Sequence, residues 1–124
     1  MNEYNNPSPD NEYILAGVSY FPLINLVLLF TSGRSKYFVK YHAGHATIIY
    51  TLNLLLLAFY ISIYYFIRPF FTDTFNIDML WGLTFSLHLI SNFIYMIYCS
   101  IKAYQGNYLI IPIVTKIFYF LFNR

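Results

Sequence analysis

The sequence predicts an all-α integral membrane protein, with three transmembrane helices and a C-terminal interfacial or re-entrant amphipathic helix. Three observations lead there. Of 124 residues, 59% are hydrophobic and only 10% charged, against about a quarter charged in ordinary soluble domains. The apolar residues gather into long uncharged runs. The seven Lys and Arg residues divide six to one between the two sides those runs define. A chain this short buries only about two-thirds of its extended surface, so the bilayer is the natural solvent for the rest. Low charge with high hydrophobicity excludes disorder. One cysteine, Cys99, excludes a disulfide scaffold. A net charge of +2 without a basic cluster excludes a nucleic-acid partner.

Residues 1–12 form a polar, acidic tail, MNEYNNPSPDNE, which lacks the positive start of a signal peptide. The single membrane domain, 13–124, begins with a first span at 13–30, YILAGVSYFPLINLVLLF. Its length is about 27 Å, just enough for a hydrocarbon core of about 30 Å. Pro22 is expected to kink it and Gly33 to cap its end. The second span, 46–67, closes at Arg68-Pro69, and Asp78 is expected to cap the helix of the third span, 79–101. A last apolar stretch, 108–122, holds Pro112 and Lys116 and is too short to cross. An interfacial helix lets Lys116 and Arg124 snorkel to headgroups.

Three spans place Arg34, Lys36, Lys40, Lys102, Lys116 and Arg124 on one side, and Arg68 with all five acids on the other. The positive-inside rule then sets the N-terminus outside and the C-terminus on the cytoplasmic side, in a bacterial inner membrane or an organelle's inner membrane. Tyr64, Tyr65, Phe70, Phe71 and Trp81 fit the outer aromatic belt, and Tyr37, Tyr41, Tyr104 and Tyr108 the inner one.

Polar residues inside a span are costly and therefore mark sites. Thr84, His88, Ser91, Asn92, Tyr95 and Cys99 recur at intervals of three and four and share one helix face. Leu83, Leu87, Ile90, Ile94 and Ile97 form a face suited to lipid. Asn53 on the second span and His88 on the third reach similar depth, so an interhelical hydrogen bond between them is expected, with Asn25 or Ser19 nearby. The packing face comprises Asn53, Thr84, His88, Ser91 and Asn92, working as interhelical glue. His42 and His45 can share a helix face at the inner mouth of the second span. Two ligands fall short of the three or four that zinc needs, so they are expected to position that helix at the interface. The chain shows no nucleophile–base–orienter set, no G-x-S-x-G elbow and no H-E-x-x-H. No enzyme, cofactor or metal is expected.

The stretch SKYFVKYHAGHATIIYTL (35–52), with its His-Ala entering a helix, and AYQGNYLIIPIVTKI (103–117), with its spaced Gly and aliphatic-Pro-aliphatic, carry a resemblance. Together with ILAGVSYFPLINLVLLF they are similar to a family of small bacterial membrane proteins. That family includes the magnetosome protein MamF, and it is related to the twenty-kilodalton Tic subunit of the chloroplast inner-envelope translocon. Phe38, His42, Ala43, Gly106 and Pro112 occupy the motif positions. His45 stands where Gln is frequent, and RPFFTDTFNID replaces a Gly/Pro-rich link. The resemblance implies a helical membrane protein of three or four spans without established catalysis and, in the plastid branch, a part of a protein-import complex.

The expected function is that of a non-catalytic accessory or scaffold subunit of a larger membrane complex, in translocation or secretion. Its expected partners are the bilayer and other integral membrane proteins, or further copies of itself. The alternative is an oligomeric channel or transporter for a small solute or proton, using the polar face of the third helix.

Overall fold

The computed structural model describes residues 9–31, 37–72 and 74–122. Along them run α1 (Pro9–Val18), α2 (Ile24–Phe30), α3 (Tyr37–Ile67), a 3₁₀ turn (Arg68–Phe70), α4 (Thr74–Tyr104) and α5 (Pro112–Phe122). No strand occurs among the described residues. Two helices, α3 and α4, are long and apolar enough to cross a membrane. At 31 residues each they extend about 46 Å, well beyond a hydrocarbon core of about 30 Å. The chain divides into two compact units, one of Met1–Ile49 with Met96–Arg124 and one of Tyr50–Tyr95.

In the first unit, the segment expected to form one kinked span is broken into α1 and α2. Helical bonding fades through Ser19, Tyr20 and Phe21, whose N–H groups reach Leu15, Gly17 and Val18 at 3.1, 3.4 and 3.1 Å. Pro22 then supplies no N–H and disfavours a helical Phe21. Leu23 adopts φ +68°, a left-handed value uncommon outside glycine that no α-helix passes through. The proline was legible; the strained leucine behind it was not. Gly33, expected as a cap, lies outside the described residues, as do Arg34, Lys36, Asp73 and Arg124.

Small residues let α1 approach the end of α4. Ser100 Oγ donates to the Gly17 carbonyl at 2.8 Å, and a side chain begun at Gly17 would already touch Ser100 and Tyr104 at 3.4 Å. Ala16, Cys99 and Ala103 are fully buried, the small-residue packing that membrane helices favour. Leu28, Val39 and Ala43 form a core cluster, with Leu15, Val18 and Leu29 packed against it.

The C-terminus of α4 closes in a Schellman motif. The Gly106 N–H reaches the Ala103 carbonyl at 2.9 Å and the Asn107 N–H the Lys102 carbonyl at 3.1 Å, with Gly106 at φ +78°. A Cβ on Gly106 would also sit 3.1 Å from the Tyr13 ring. Gly106→Ala is expected to lower stability by about 1–2 kcal/mol, read as the denaturation midpoint in mild detergent. Gly106→Asn, which shares the Tyr13 contact but tolerates the left-handed region, should lose less. Equal losses would remove the backbone term.

Helix α5 begins at Pro112, where a missing N–H is harmless, four residues later than the apolar stretch suggested. Eleven residues make about 16 Å, too short to cross a bilayer. It buries Val114 and Phe118, while Lys116 stands exposed. Helix α3 begins at Tyr37, nine residues before the expected start at Ala46. Phe38, Val39, Tyr41, His42, Ala43, Gly44 and His45 are all buried helix rather than interfacial loop.

The second unit is a helical hairpin of 50–67 from α3 and 74–95 from α4. Asp78 does not cap. It lies within α4, where its Oδ1 accepts from Tyr64 at 2.6 Å and from Arg68 Nε at 3.4 Å. Two cross-hairpin donors occupy a carboxylate that a helix terminus would otherwise attract. Leu83, Leu87 and Ile90 of α4 are exposed, as expected of the apolar face.

A buried histidine and tyrosine cluster as the candidate functional site

Four of the five motif positions come together in the first unit, around α3 and the turn after α4. His42 and His45 are completely buried, and the expectation that they anchor α3 at an interface is therefore corrected. Both rings sit inside an aromatic cluster drawn from four stretches of chain.

His45 is the better determined of the two. Its Nδ1 lies 2.9 Å from the Tyr41 carbonyl, which can only accept, so Nδ1 carries the proton. In the neutral ring Nε2 accepts, and the Thr115 hydroxyl donates to it at 3.0 Å. Thr115 Oγ1 accepts in turn from the Ile111 N–H at 3.0 Å. The series runs in one direction, from the backbone at the start of α5 to the backbone of α3. Both imidazole nitrogens are occupied, so His45 cannot ligate a metal without breaking a buried bond. The Tyr41 ring stacks on His45 at 4.0 Å, and its hydroxyl donates to the Leu109 carbonyl at 2.6 Å.

His42 shares a 3.1 Å hydrogen bond between Nδ1 and the Tyr20 hydroxyl. Its Nε2 has no hydrogen-bond partner among the described residues. The Phe38 ring meets His42 edge-on at 4.6 Å and Tyr108 at 5.0 Å, and Tyr13 meets Phe38 at 5.4 Å. Tyr13 also packs against Gly106. Phe38, His42 and Gly106 are thus linked through Tyr13, while Ala43 lies in the adjoining apolar core. Pro112 is the exception, exposed at the start of α5. Desolvation and the Glu12 carboxylate push the Tyr108 phenol up, so it stays neutral over the physiological range. Among the described residues no group of three or more His, Cys, Asp or Glu could hold a metal.

Gly44 and Phe118 were not legible as partners. A Cβ on Gly44 would lie 2.4 Å from Phe118 Cε2, and Phe118 is fully buried. A glycine between two histidines inside a helix was the available signal, since glycine in a helix interior costs stability unless something packs against it.

The packing face assigned to Asn53, Thr84, His88, Ser91 and Asn92 is in the second unit, with different pairings from those expected. Asn53 Nδ2 donates to Asn92 Oδ1 at 3.1 Å, not to His88. Thr84 Oγ1 donates to the Leu80 carbonyl at 2.8 Å and shares a short hydrogen bond with the Tyr60 hydroxyl. His88 lines a small cavity of about 160 Å³ with Leu56, Leu57, Tyr60 and Phe85. Ser91 is exposed. Asn25 and Ser19 pair elsewhere, Asn25 with Thr47 at 3.1 Å and Ser19 with the Ala16 carbonyl at 2.6 Å. The Asn53–Asn92 bond should carry a coupling of about 0.6 kcal/mol in a double-mutant cycle of Asn53→Ala and Asn92→Ala. Strict additivity would show that the two amides stabilise the hairpin independently.

Compared with protein-family models, with curated proteins and with solved structures, the chain matches none.

Proposed function

We propose that this chain is a small polytopic membrane protein that acts as a non-catalytic accessory or scaffold subunit of a larger membrane complex. The observation that carries the reading is the outer surface of α3 and α4. Leu54, Leu55, Phe59, Phe66, Phe93 and Ile94 are between 61% and 73% exposed. An apolar surface of that extent needs lipid or protein to cover it. The polar side chains support the same reading, because Asn53, Asn92, Thr84 and His45 use their hydrogen bonds internally. Within this reading 13–30 does not complete a third pass: Tyr13 packs against Phe38 and Gly106 and Leu28 against Val39 and Ala43, so the broken segment dips in and returns on the side where α3 begins and α4 ends. The six-to-one division of basic residues favours the side on which α3 begins and α4 ends, and with it Tyr13, as the inner face of a bacterial or organelle inner membrane. Translocation or secretion as the assembly's work is proposed on the resemblance read in residues 35–52 and 103–117 alone.

The test is extraction of the tagged chain from its native membrane in mild detergent, followed by native mass spectrometry. The reading expects a particle well above the 14.7 kDa chain, with an integral membrane partner at fixed stoichiometry. A lone monomer under conditions that preserve other complexes would sink it.

A further inference from the structure

Near its turn, the α3–α4 hairpin carries a wide cleft of about 370 Å³ in which, among the described residues, Asp78 is the only charged lining residue. That volume falls in the range of small-molecule sites, about 300–1,000 Å³. Trp81 packs against Tyr60 and Tyr64, with ring centroids 4.4 and 5.6 Å apart, and Tyr65 meets Tyr64 edge-on at 5.5 Å. At Gly82 nothing stands within 4 Å of where a side chain would begin, leaving that part of the wall open.

Arg68 does not line the cleft but stands beside it, paired with Asp78 and with capacity to spare. The Tyr64 hydroxyl fixes Asp78 Oδ1 at 2.6 Å, whereas Arg68 holds the carboxylate loosely, at 3.4 and 3.5 Å. The guanidinium lies 6.0 Å over the Tyr64 ring, so this aromatic wall already receives an organic cation. Both charged side chains remain partly open, 45% exposed for Arg68 and 39% for Asp78. Aromatic faces beside a carboxylate attract an ammonium, and a guanidinium suits a phosphate. Phe66 and Phe70 stand exposed close by in sequence, apolar surface of the kind acyl chains cover.

We propose that this cleft binds the headgroup of a zwitterionic phospholipid, its ammonium held by Tyr65, Trp81 and Asp78 and its phosphate by Arg68. An ordinary aromatic belt places Tyr and Trp at headgroup level with no defined site. A built site differs from it in saturating and in depending on Asp78. The lipid as source rests on the membrane reading above; the headgroup chemistry is testable without it.

Trp81 is the chain's single tryptophan, so its emission reports on the cleft directly. The full chain in dodecyl maltoside, an uncharged detergent, is titrated with phosphocholine, with choline and with inorganic phosphate. It is then reconstituted into phosphatidylglycerol vesicles with and without phosphatidylcholine, and flotation separately reads membrane insertion. The expected result is a saturable change with phosphocholine, a weaker one with choline, none with phosphate, and the same spectral change on adding phosphatidylcholine. Asp78→Asn should weaken phosphocholine about tenfold, the Coulombic attraction of a partly exposed carboxylate for an ammonium. Tyr65→Leu, at a residue 69% exposed, should also weaken it while far-UV circular dichroism stays unchanged. A non-saturating response, or equal affinity in parent and Asp78→Asn, overturns the site. Saturation by soluble phosphocholine with no response to phosphatidylcholine overturns the lipid as its source.

Discussion

Gly44→Ala is expected to destabilise the first unit by about 3 kcal/mol, the upper range for overpacking a well-filled interior. The new methyl would fall 2.4 and 2.6 Å from two carbons of the Phe118 ring, closer than any real contact. Phe118 has nowhere to retreat. Its ring is flanked by Tyr41, His45 and Phe122 at 5.2, 5.1 and 5.1 Å, and none of it is exposed. The strain can be relieved only by moving α5 away from α3, which would also stretch the His45–Thr115 bond. Denaturation in mild detergent, followed by far-UV circular dichroism, reads the loss. Adding Phe118→Leu should recover part of it, because a smaller side chain leaves room for the methyl. An unchanged midpoint for Gly44→Ala would mean that α5 does not pack on α3 at this point.

His45→Ala should cost a similar amount, about 3 kcal/mol, by a different route. The substitution empties a fully buried volume against which Tyr41 stacks, and cavities of this kind cost about 2–5 kcal/mol. It also leaves the Thr115 hydroxyl without its acceptor, a loss of about 1–3 kcal/mol if no water replaces it. His45→Gln, which can still accept from Thr115, should lose less than His45→Ala. The nitrogen chemical shifts of the parent provide a second readout. A neutral ring protonated on Nδ1 is expected, whereas an Nε2-protonated ring would contradict the donor sequence from Ile111 to Tyr41.

The parts of the fold legible in the sequence are those governed by composition over a long window. The body of α3 and of α4 could be read because more than twenty consecutive uncharged residues leave little alternative. The apolar face of Leu83, Leu87 and Ile90 followed from helical periodicity alone. What could not be read depended on distant partners. Lys40, His42 and His45 make 37–45 look like a polar approach to the membrane. Yet Tyr41 and His45 are satisfied by residues 68 and 70 positions away, and no local pattern encodes that pairing. The aliphatic run at 23–30 likewise gives no warning that Leu23 departs from the helix.

The seam in the hairpin shows the same division. Periodicity placed Asn53, His88 and Asn92 where two helices could meet, but depth counted along each helix could not separate His88 from Asn92. One helical turn is about 5.4 Å, and the pairing that forms is Asn53 with Asn92. The sequence singled out Phe38, His42, Ala43 and Gly106 but gave no sign of which of them touch. Tyr13 and Tyr108, which join three of them through their rings, came from the structure.

Lipid or a membrane partner should cover the apolar outer surface of α3 and α4. Single cysteines at Leu55, Leu87 and Ile94, each exposed, in a Cys99→Ala background, can carry spin labels in the reconstituted chain. The labels should be readily relaxed by oxygen and shielded from a water-soluble nickel complex. Equal access of the nickel complex to all three would place these faces in water and contradict the membrane reading.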